Sequence, residues 1–287
     1  MEVIKVKLKR KGYISSVIYY SFVVIFSFLM LYPILWMFGS SLKPETEIFS
    51  NVLSLLPIEL NWLNYPKGWE GFGGIGFAVF FKNSLFVTVM VVIGSILSSS
   101  IVAYGFARMN FRFKKILFAC LISTVLLPIQ IILVPQYILF QKFDWVNTYF
   151  PLIVPKFLGG TPFFIFLIIQ FIRGIPKELD EAAIIDGCST FGVFWRIILP
   201  LLKPALVTVA IFAFMWTWDD FLSPLIYLNE VEIQTVSLGL RNFMDSQSGT
   251  SWGPLLAMSS LSLLPQLILF MFFQKYLVKG IATTGLK

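Results

Sequence analysis

The sequence predicts an all-α polytopic membrane protein with six transmembrane helices. Of its 287 residues, 57% are hydrophobic and 13% are charged, and the mean hydropathy is +0.84. That composition leaves too little polar surface to cover a soluble globule. Six apolar segments reach the roughly 20 residues that a helix needs to cross a bilayer. They cover residues 14–38, 84–107, 116–140, 149–172, 204–228 and 254–274.

The six segments differ in how continuous their helices are expected to be. The first, second and sixth contain no charged residue between their ends, and they are the clearest spans. The third contains Pro128 and Pro135, and the fourth contains Gly159, Gly160 and Pro162. Because proline removes a helical hydrogen bond and glycine loosens the backbone, we predict that the third and fourth spans are kinked or broken.

The basic residues predict the orientation of the chain. Most of the 22 lysines and arginines fall on the side that carries both termini, which the positive-inside rule assigns to the cytoplasm. We therefore predict a cytoplasmic N-terminus over residues 1–12, followed by an anchor helix rather than a cleaved signal peptide. Topology and lipid headgroups account for the net charge of +7, so nucleic-acid binding is not expected. The sequence has no histidine, and we predict no catalytic residue and no metal site.

Two longer loops are predicted on the outer side of the membrane. Residues 43–83 are rich in aromatic residues, glycine and proline, and we interpret them as a cap on the bilayer surface. Residues 229–253 are polar and are expected to be mobile. This second loop is either a contact for a partner protein or a solvated connector.

Polar residues within the spans suggest a route for a solute. Irregular backbone at membrane depth is tolerated where it is buried in protein or lines a wet cavity, which favours a transporter over an anchor. The acidic pair Asp219-Asp220 is expected about fifteen residues into the fifth span, in its outer half. It is either part of the lining or an interfacial cap. The predicted translocation path comprises Gln130, Gly159, Gly160, Trp218, Asp219 and Asp220.

Residues 173–203 are predicted to form a helix, a turn and a second helix on the cytoplasmic side. Pro176 suits the first position of the first helix, and acidic residues at Glu178, Asp180 and Glu181 suit its positive end. Gly187 is expected to stop this helix in a left-handed conformation, and Ser189 or Thr190 to cap the next. The second helix is predicted to present Phe191, Phe194, Trp195 and Ile198 on one side. Such a structure either docks a soluble partner or rests on lipid.

The same stretch carries a family signature. Glu181-Ala182-Ala183, three residues, Gly187, nine residues and Ile197-Ile198-Leu199-Pro200 resemble the EAA motif of permease subunits of bacterial ABC importers. The stretches AYGFARMNFR, QFIRGIPKELDEAA and WTWDDFLSPLIYL resemble the carbohydrate-uptake branch related to the maltose permease. The acidic pair departs from that branch at Asp219, where many relatives have asparagine.

The resemblance implies a type I ABC importer permease fold over residues 13–287, with residues 173–203 as the segment that couples to the ATPase. We call these residues the coupling segment. Glu181 would accept a salt bridge or hydrogen bonds from the ATPase, Ala182 and Ala183 would allow close packing, and Gly187 would make the turn. The implied coupling residues are Glu181, Ala182, Ala183, Asp186, Gly187, Leu199 and Pro200.

The resemblance also implies the partners and the function. The chain would pair with a second homologous permease, two ATPase subunits and an extracytoplasmic solute-binding protein, and would carry a sugar by alternating access. ATP and Mg²⁺ would be bound by the ATPases, because this chain has no P-loop sequence. The alternatives are an ABC permease for another solute, an ion-coupled secondary carrier and, with least support, a membrane enzyme.

Overall fold

Helices form almost all of the regular structure of this protein. The computed structural model describes residues 2–244 and 251–282, with side chains described for 15–128, 130–244 and 251–275. Within these residues the only strand-like pairing is an isolated bridge between Phe72 and Ile75. The prediction of an all-α protein is therefore confirmed.

Fifteen α-helices follow one another along the described residues. The first seven are α1 (Glu2–Ser40), α2 (Glu45–Ser50), α3 (Asn64–Glu70), α4 (Phe77–Arg108), α5 (Lys114–Val125), α6 (Ile129–Lys142) and α7 (Phe150–Phe157). The other eight are α8 (Pro162–Arg173), α9 (Glu178–Ile185), α10 (Thr190–Val193), α11 (Leu199–Leu201), α12 (Lys203–Trp218), α13 (Leu222–Tyr227), α14 (Val236–Asn242) and α15 (Trp252–Ala282). A π-helical turn covers Phe194–Ile198, and a 3₁₀ turn covers Val231–Ile233.

Each of the six predicted spans has a counterpart among these helices. Four stretches are long and apolar enough to cross a bilayer by themselves: Ser15–Ser40, Phe77–Arg108, Phe150–Arg173 and Trp252–Lys275. Two more spans result if each of two bent pairs is counted as one, α5 with α6 and the Thr190–Leu201 helix with α12. The described helices therefore provide four to six membrane-spanning segments.

The breaks lie partly where prolines and glycines predicted them. The third span divides at Leu126–Pro128 into α5 and α6, which meet at 105°. The fourth divides into α7 and α8 around Gly159 and Gly160. The prediction for the fifth span was wrong at its end, because α12 stops at Trp218 and the predicted span continues to residue 228. A separate short helix, α13, follows that stop.

Two compact units divide the chain, and each is described by itself. The first contains Met1–Trp69 and Phe243–Leu261. In this unit the predicted outer cap is fastened to the chain that follows α1. Lys43 is fully buried, and its Nζ donates a 2.7 Å hydrogen bond to the Ser54 carbonyl. Asn64 Nδ2 donates at 2.9 Å to the carbonyls of Ser41 and Lys43, so the cap is held by main-chain acceptors.

The second unit contains Glu70–Asn242 and Ser262–Lys287, and α4, α8 and α12 form its core. The small residues of α4 allow the close approach that such residues give to membrane helices. A side chain at Gly94 would collide with the Phe157 ring, and one at Gly160 would collide with the Ser99 hydroxyl. The α7–α8 break therefore packs directly on α4.

The second outer loop is more ordered than predicted over the part that the structure describes. Asn83 Nδ2, near the start of α4, donates to the carbonyls of Glu232 and Gln234 at 2.8 and 2.9 Å. The Val236 amide donates a 2.8 Å hydrogen bond to Ser84 Oγ. These bonds hold residues 231–242 on α4, whereas residues 245–250 of the predicted loop lie outside the described residues.

Candidate functional site

The first half of the coupling segment is a short helix that ends in a left-handed turn. α9 begins at Glu178, two residues later than predicted. Its first helical hydrogen bonds are accepted by the Lys177 carbonyl, so Pro176 lies in the irregular stretch before the helix. Gly187 has φ +87°, where an L side chain is strained. The prediction that Gly187 stops this helix is confirmed.

The second half begins with a capped helix whose aromatic residues divide between two faces. Ser189 is the cap, since its Oγ accepts a 3.2 Å hydrogen bond from the Gly192 amide. Phe194 and Ile198 are buried, whereas Phe191 is 70% exposed. The prediction of one shared face was wrong. Residues four apart share a helix face, so Phe191 with Trp195 forms the outer side and Phe194 with Ile198 the inner side.

An ion pair fastens the coupling segment to the end of α4. Arg108 Nε lies 2.6 Å from Asp180 Oδ2, and the two side chains are only 7% and 14% exposed. Arg108 Nη2 also donates a 2.7 Å hydrogen bond to the Ile175 carbonyl. The sequence patterns did not predict this pair, because Asp180 was interpreted as a helix-dipole residue and Arg108 as a topology signal.

A second bond from α4 reaches the other half of the segment. The Tyr104 hydroxyl, one turn before Arg108, donates at 3.1 Å to the Thr190 carbonyl. The Tyr104 ring also packs against Phe194, with the ring centroids 5.1 Å apart. Both halves of the helix–turn–helix are therefore attached to the same membrane helix.

The predicted coupling residues separate into an inner edge and an outer edge. Ala183 is buried in the core with α4 and α8, so it packs within this chain. Leu199 is half-buried against the same core. The remaining predicted residues are exposed: Glu181, Ala182, Asp186, Gly187 and Pro200.

Apolar side chains accompany the exposed acidic residues on the outer edge. Ile185 is 85% exposed, and Leu179, Ile184 and Phe191 are exposed as well. Exposed apolar groups surrounded by charged residues are typical of a surface that binds another protein. The outer edge is thus exposed, while the inner edge is part of the core.

A cavity of about 700 Å³ lies among α4, α6, the α7–α8 break and the α12–α13 break. Its polar and aromatic lining includes Thr88, Ser95, Gln136, Lys156, Gly160, Phe163, Trp216, Thr217, Asp219, Asp220 and Tyr227. Broken helices supply much of this wall. This is the arrangement expected where irregular backbone lines a cavity at membrane depth.

The structure brings only part of the predicted path together. Gly160, Asp219 and Asp220 line the cavity, whereas Gln130 is exposed outside it. Trp218 is buried, and its Nε1 donates a 2.9 Å hydrogen bond to the Ser262 carbonyl, so its role is packing. Gly159 contributes to the break but not to the lining.

The acidic pair lies at a helix end rather than inside a continuous span. Asp219 is the C-terminal cap residue of α12, with its amide still bonded to the Met215 carbonyl at 3.1 Å. Asp220 Oδ1 accepts a 3.1 Å hydrogen bond from the Ser223 amide at the start of α13. One acid of the pair is therefore fixed by the break, while Asp219 is exposed.

Several hydroxyl groups around the cavity have no hydrogen-bond partner among the described residues. They belong to Thr88, Ser95 and Tyr227, all of which are buried. Most buried polar groups in proteins are paired, and other exceptions among the described residues, such as Ser99 Oγ and Asp180 Oδ1, lie outside this lining. Within the same residues, no group of three Cys, Asp or Glu side chains is placed to hold a metal ion.

Apolar helices long enough to cross a membrane, an exposed helix–turn–helix and a cavity with a few polar groups in a largely apolar wall together indicate the membrane subunit of a transport system. Sequence comparison identifies that system. Residues 95–283 match the family of binding-protein-dependent transport system inner membrane components, and the chain belongs to this family. It is therefore a multi-pass permease subunit of an ABC importer, which works with an ATPase and a solute-binding protein and is not itself an enzyme.

Curated relatives match nearly the whole chain. The probable ABC transporter permease protein YurM of Bacillus subtilis is 36% identical over 99% of this chain and 93% of its own length. An arabinooligosaccharides transport system permease protein of Halalkalibacterium halodurans is 33% identical over 89% of this chain and 90% of its own length. The diacetylchitobiose uptake system permease protein of Streptomyces coelicolor is 31% identical over 89% and 91%.

A solved structure shares the fold. It is a chain of a bacterial ABC transporter involved in the import of the acidic polysaccharide alginate. The superposition has a TM-score of 0.82 and covers 93% of this chain and 98% of the other, at 20% sequence identity. At that identity the likeness supports the ABC importer permease fold alone.

Proposed function

We propose that this chain carries a sugar across the cytoplasmic membrane as one of two homologous permease subunits in an ATP-driven importer. The names of relatives support the cargo, since they include permeases for arabinooligosaccharides and for diacetylchitobiose. The cavity supports a sugar cargo too, because its lining contains hydroxyl, amide and carboxylate groups together with aromatic rings. Such a wall suits a solute that has many hydroxyl groups.

The rest of the assembly follows from the same proposal. Two ATPase subunits bind ATP and Mg²⁺ on the cytoplasmic side, and an extracytoplasmic binding protein delivers the sugar. Both termini of this chain face the cytoplasm, as the distribution of lysine and arginine indicates. The outer loops are the candidate contacts for the binding protein.

The coupling segment is the observation that carries the proposal. Its outer edge is free to dock on an ATPase, and its inner edge is attached to α4 through Arg108 and Asp180. About 20 Å of continuous helix separates Arg108 from Ser95 in the cavity wall. When the ATPases close on ATP, the segment moves as a rigid body and α4 passes the movement to the cavity.

Charge reversal at Glu181 tests this role. Glu181→Lys places a cation on the exposed edge, and we expect the subunit to insert normally but to lose the ATPases and ATP-dependent uptake. The measurements are co-purification of the ATPase subunits and uptake into proteoliposomes of a labelled sugar that the binding protein binds. Lys115→Glu is the matched control, because Lys115 is an exposed charge on α5, outside the coupling segment.

The outcomes separate the proposal from its rivals. Normal ATPase retention and normal uptake in the Glu181→Lys complex would contradict the coupling role. Uptake that persists without ATP and stops when the proton gradient is collapsed would instead identify an ion-coupled carrier. ATP-dependent uptake of an amino acid or peptide, with no uptake of sugars, would retain the importer class and change its cargo.

A further inference from the structure

We propose that Trp216, Asp219 and Asp220 form a binding subsite for one neutral sugar unit in the cavity of this chain. The inference rests on the proposed sugar-import function and adds that this subunit itself contacts the cargo. It assigns a binding role to Trp216 and removes one from Trp218. The argument depends on helix geometry, on ring packing and on the charges around the cavity.

Helix geometry places Trp216 and Asp219 on one side of α12. Successive residues are about 100° apart around an α-helix, and the Asp219 amide still bonds to the Met215 carbonyl, so Asp219 lies about 60° from the direction of Trp216. Asp220 follows the end of the helix, with its amide bonded to the Thr217 carbonyl, and it lines the same cavity. Trp218 is about 200° from Trp216, which explains why one indole lines the cavity and the other is buried.

The Trp216 ring is a fixed and half-open surface. Its plane stacks on the Phe164 ring, with centroids 5.2 Å apart and planes 13° apart. Phe163 and Phe212 also contact it, at 5.4 and 5.6 Å between centroids. Even so, Trp216 remains 48% exposed. A rigid aromatic face binds the apolar C–H face of a sugar ring at a small entropic cost.

Hydrogen-bond acceptors and donors line the same cavity as this aromatic surface. Carboxylates form strong hydrogen bonds with hydroxyl donors, and Asp219 is exposed while Asp220 is held in place by the Ser223 amide. Gln136 on α6 and Lys156 on α7 add donors to the lining. A few polar groups within a largely apolar wall are typical of small-molecule sites.

The unpaired hydroxyls leave hydrogen-bonding groups of the cavity wall available to water or to a ligand. Thr88 Oγ1, Ser95 Oγ and Tyr227 Oη are buried in the wall without a described partner. A polyhydroxyl solute offers both donors and acceptors to such groups. The volume of about 700 Å³ also lies within the usual range of ligand pockets, about 300–1,000 Å³.

The charges of the lining select between classes of sugar. Apart from the Tyr227 phenol, its ionisable residues are Lys156, Asp219 and Asp220, so two acidic side chains stand against one basic side chain. Like charges repel strongly where water is scarce, so a uronic acid unit is disfavoured beside Trp216. We therefore assign the subsite to a neutral unit.

Equilibrium binding to the intact complex tests the proposal. The probes are tritiated L-arabinotriose, maltotriose, N,N′-diacetylchitobiose and trigalacturonate, applied to the purified nucleotide-free complex without its binding protein. We expect at least one neutral probe to bind and the acidic probe not to bind. Trp216→Ala should lower the affinity for the neutral probe by about tenfold or more, and Trp216→Phe should lower it less.

Further variants separate binding from folding. Asp219→Asn and Asp220→Asn keep the side-chain shape, and each should lower the affinity for the neutral probe. The elution of the complex in size-exclusion chromatography should stay unchanged. Phe113→Ala removes an exposed aromatic ring just before α5, outside the coupling segment and away from the cavity lining, and should bind like the wild type.

Three results would overturn the subsite. They are unchanged binding in Trp216→Ala, equal binding of trigalacturonate, or no binding of any neutral probe to the wild-type complex. The proposed function fails separately, if proteoliposomes that contain the complex and its binding protein take up none of these sugars. Sugar uptake together with normal Trp216→Ala binding would leave the importer function intact and remove only the subsite.

Discussion

The coupling segment and the cavity wall differ in how their buried polar side chains are paired. At the coupling segment, Arg108 Nε forms an ion pair with Asp180 Oδ2 and Arg108 Nη2 donates to the Ile175 carbonyl, although Asp180 Oδ1 has no hydrogen-bond partner among the described residues. At the cavity, the buried hydroxyls of Thr88 and Ser95 have no partner among the described residues. Both regions belong to the second unit, and α4 contributes to both.

The difference matches the roles proposed for the two regions. A segment that transmits force must keep one geometry, and a buried ion pair with a defined partner favours a single arrangement. A cavity that admits and releases a solute must keep hydrogen-bonding groups that are not already bonded within the protein. One continuous helix can serve both regions because its two ends carry different side chains.

Breaking the ion pair should have the largest effect. Arg108→Gln leaves the Asp180 carboxylate buried without its partner, which costs about 3–5 kcal/mol in comparable pairs. We expect a lower unfolding temperature of the complex and a loss of ATP-dependent uptake. Thermal unfolding monitored by fluorescence and uptake into proteoliposomes measure the two effects.

Two further variants make that experiment specific. Arg108→Gln/Asp180→Asn removes both charges and should recover part of the lost stability, since paired residues are not additive. Arg112→Gln is the control, because Arg112 is exposed and its guanidinium lies 4.9 Å from the Phe113 ring centroid. Equal losses in Arg108→Gln and Arg112→Gln would show that the ion pair does not hold the segment.

Substitution of Gly187 should have an intermediate effect on the coupling segment. No atom lies within 4 Å of the position that a Cβ would take, so Gly187→Ala tests the backbone alone. A left-handed alanine costs about 1–2 kcal/mol, and we expect a matching loss of ATPase retention and uptake. Gly187→Asn should be milder, because asparagine tolerates this conformation. Identical behaviour of the two variants would contradict the turn's role.

Removing an unpaired hydroxyl from the cavity wall should have the smallest effect on stability. Ser95→Ala deletes a buried group that has no partner among the described residues, so the unfolding free energy should change by no more than about 0.5 kcal/mol. Thr208→Val is the matched control, since Thr208 is also buried but its hydroxyl donates to the Pro204 carbonyl at 3.0 Å. The unfolding free energy of Thr208→Val should be lower by about 1 kcal/mol. Thermal unfolding of the two complexes compares them, and a larger loss in Ser95→Ala would contradict the contrast.

Local sequence signals predicted much of the fold. Apolar length located four continuous spans and the two bent pairs that would bring the number to six, and proline and glycine located the breaks in the third and fourth segments. Gly187 and Ser189 stop and start helices in the coupling segment as their chemistry requires. These features depend on residues close together in the chain, so local patterns were sufficient to find them.

Features that depend on distant contacts were missed or misplaced. The spacing of the aromatic residues could not say which helix face meets α4, so Phe191 was grouped with Phe194. Hydrophobicity continued past Trp218, so the end of α12 was not seen. The predicted path named Trp218, although Trp216 two residues earlier lines the cavity.

The sequence by itself determined that this chain is a helical membrane permease with a helix–turn–helix within residues 173–203. Apolar length, basic loops and the EAA motif are one-dimensional signals, and they are strong because the bilayer allows few structures. Only the tertiary structure decided that Arg108 meets Asp180, that Ala183 faces inward and that Trp216 lines the cavity. The packing of helices that are far apart in the chain sets those choices, and no local pattern encodes it.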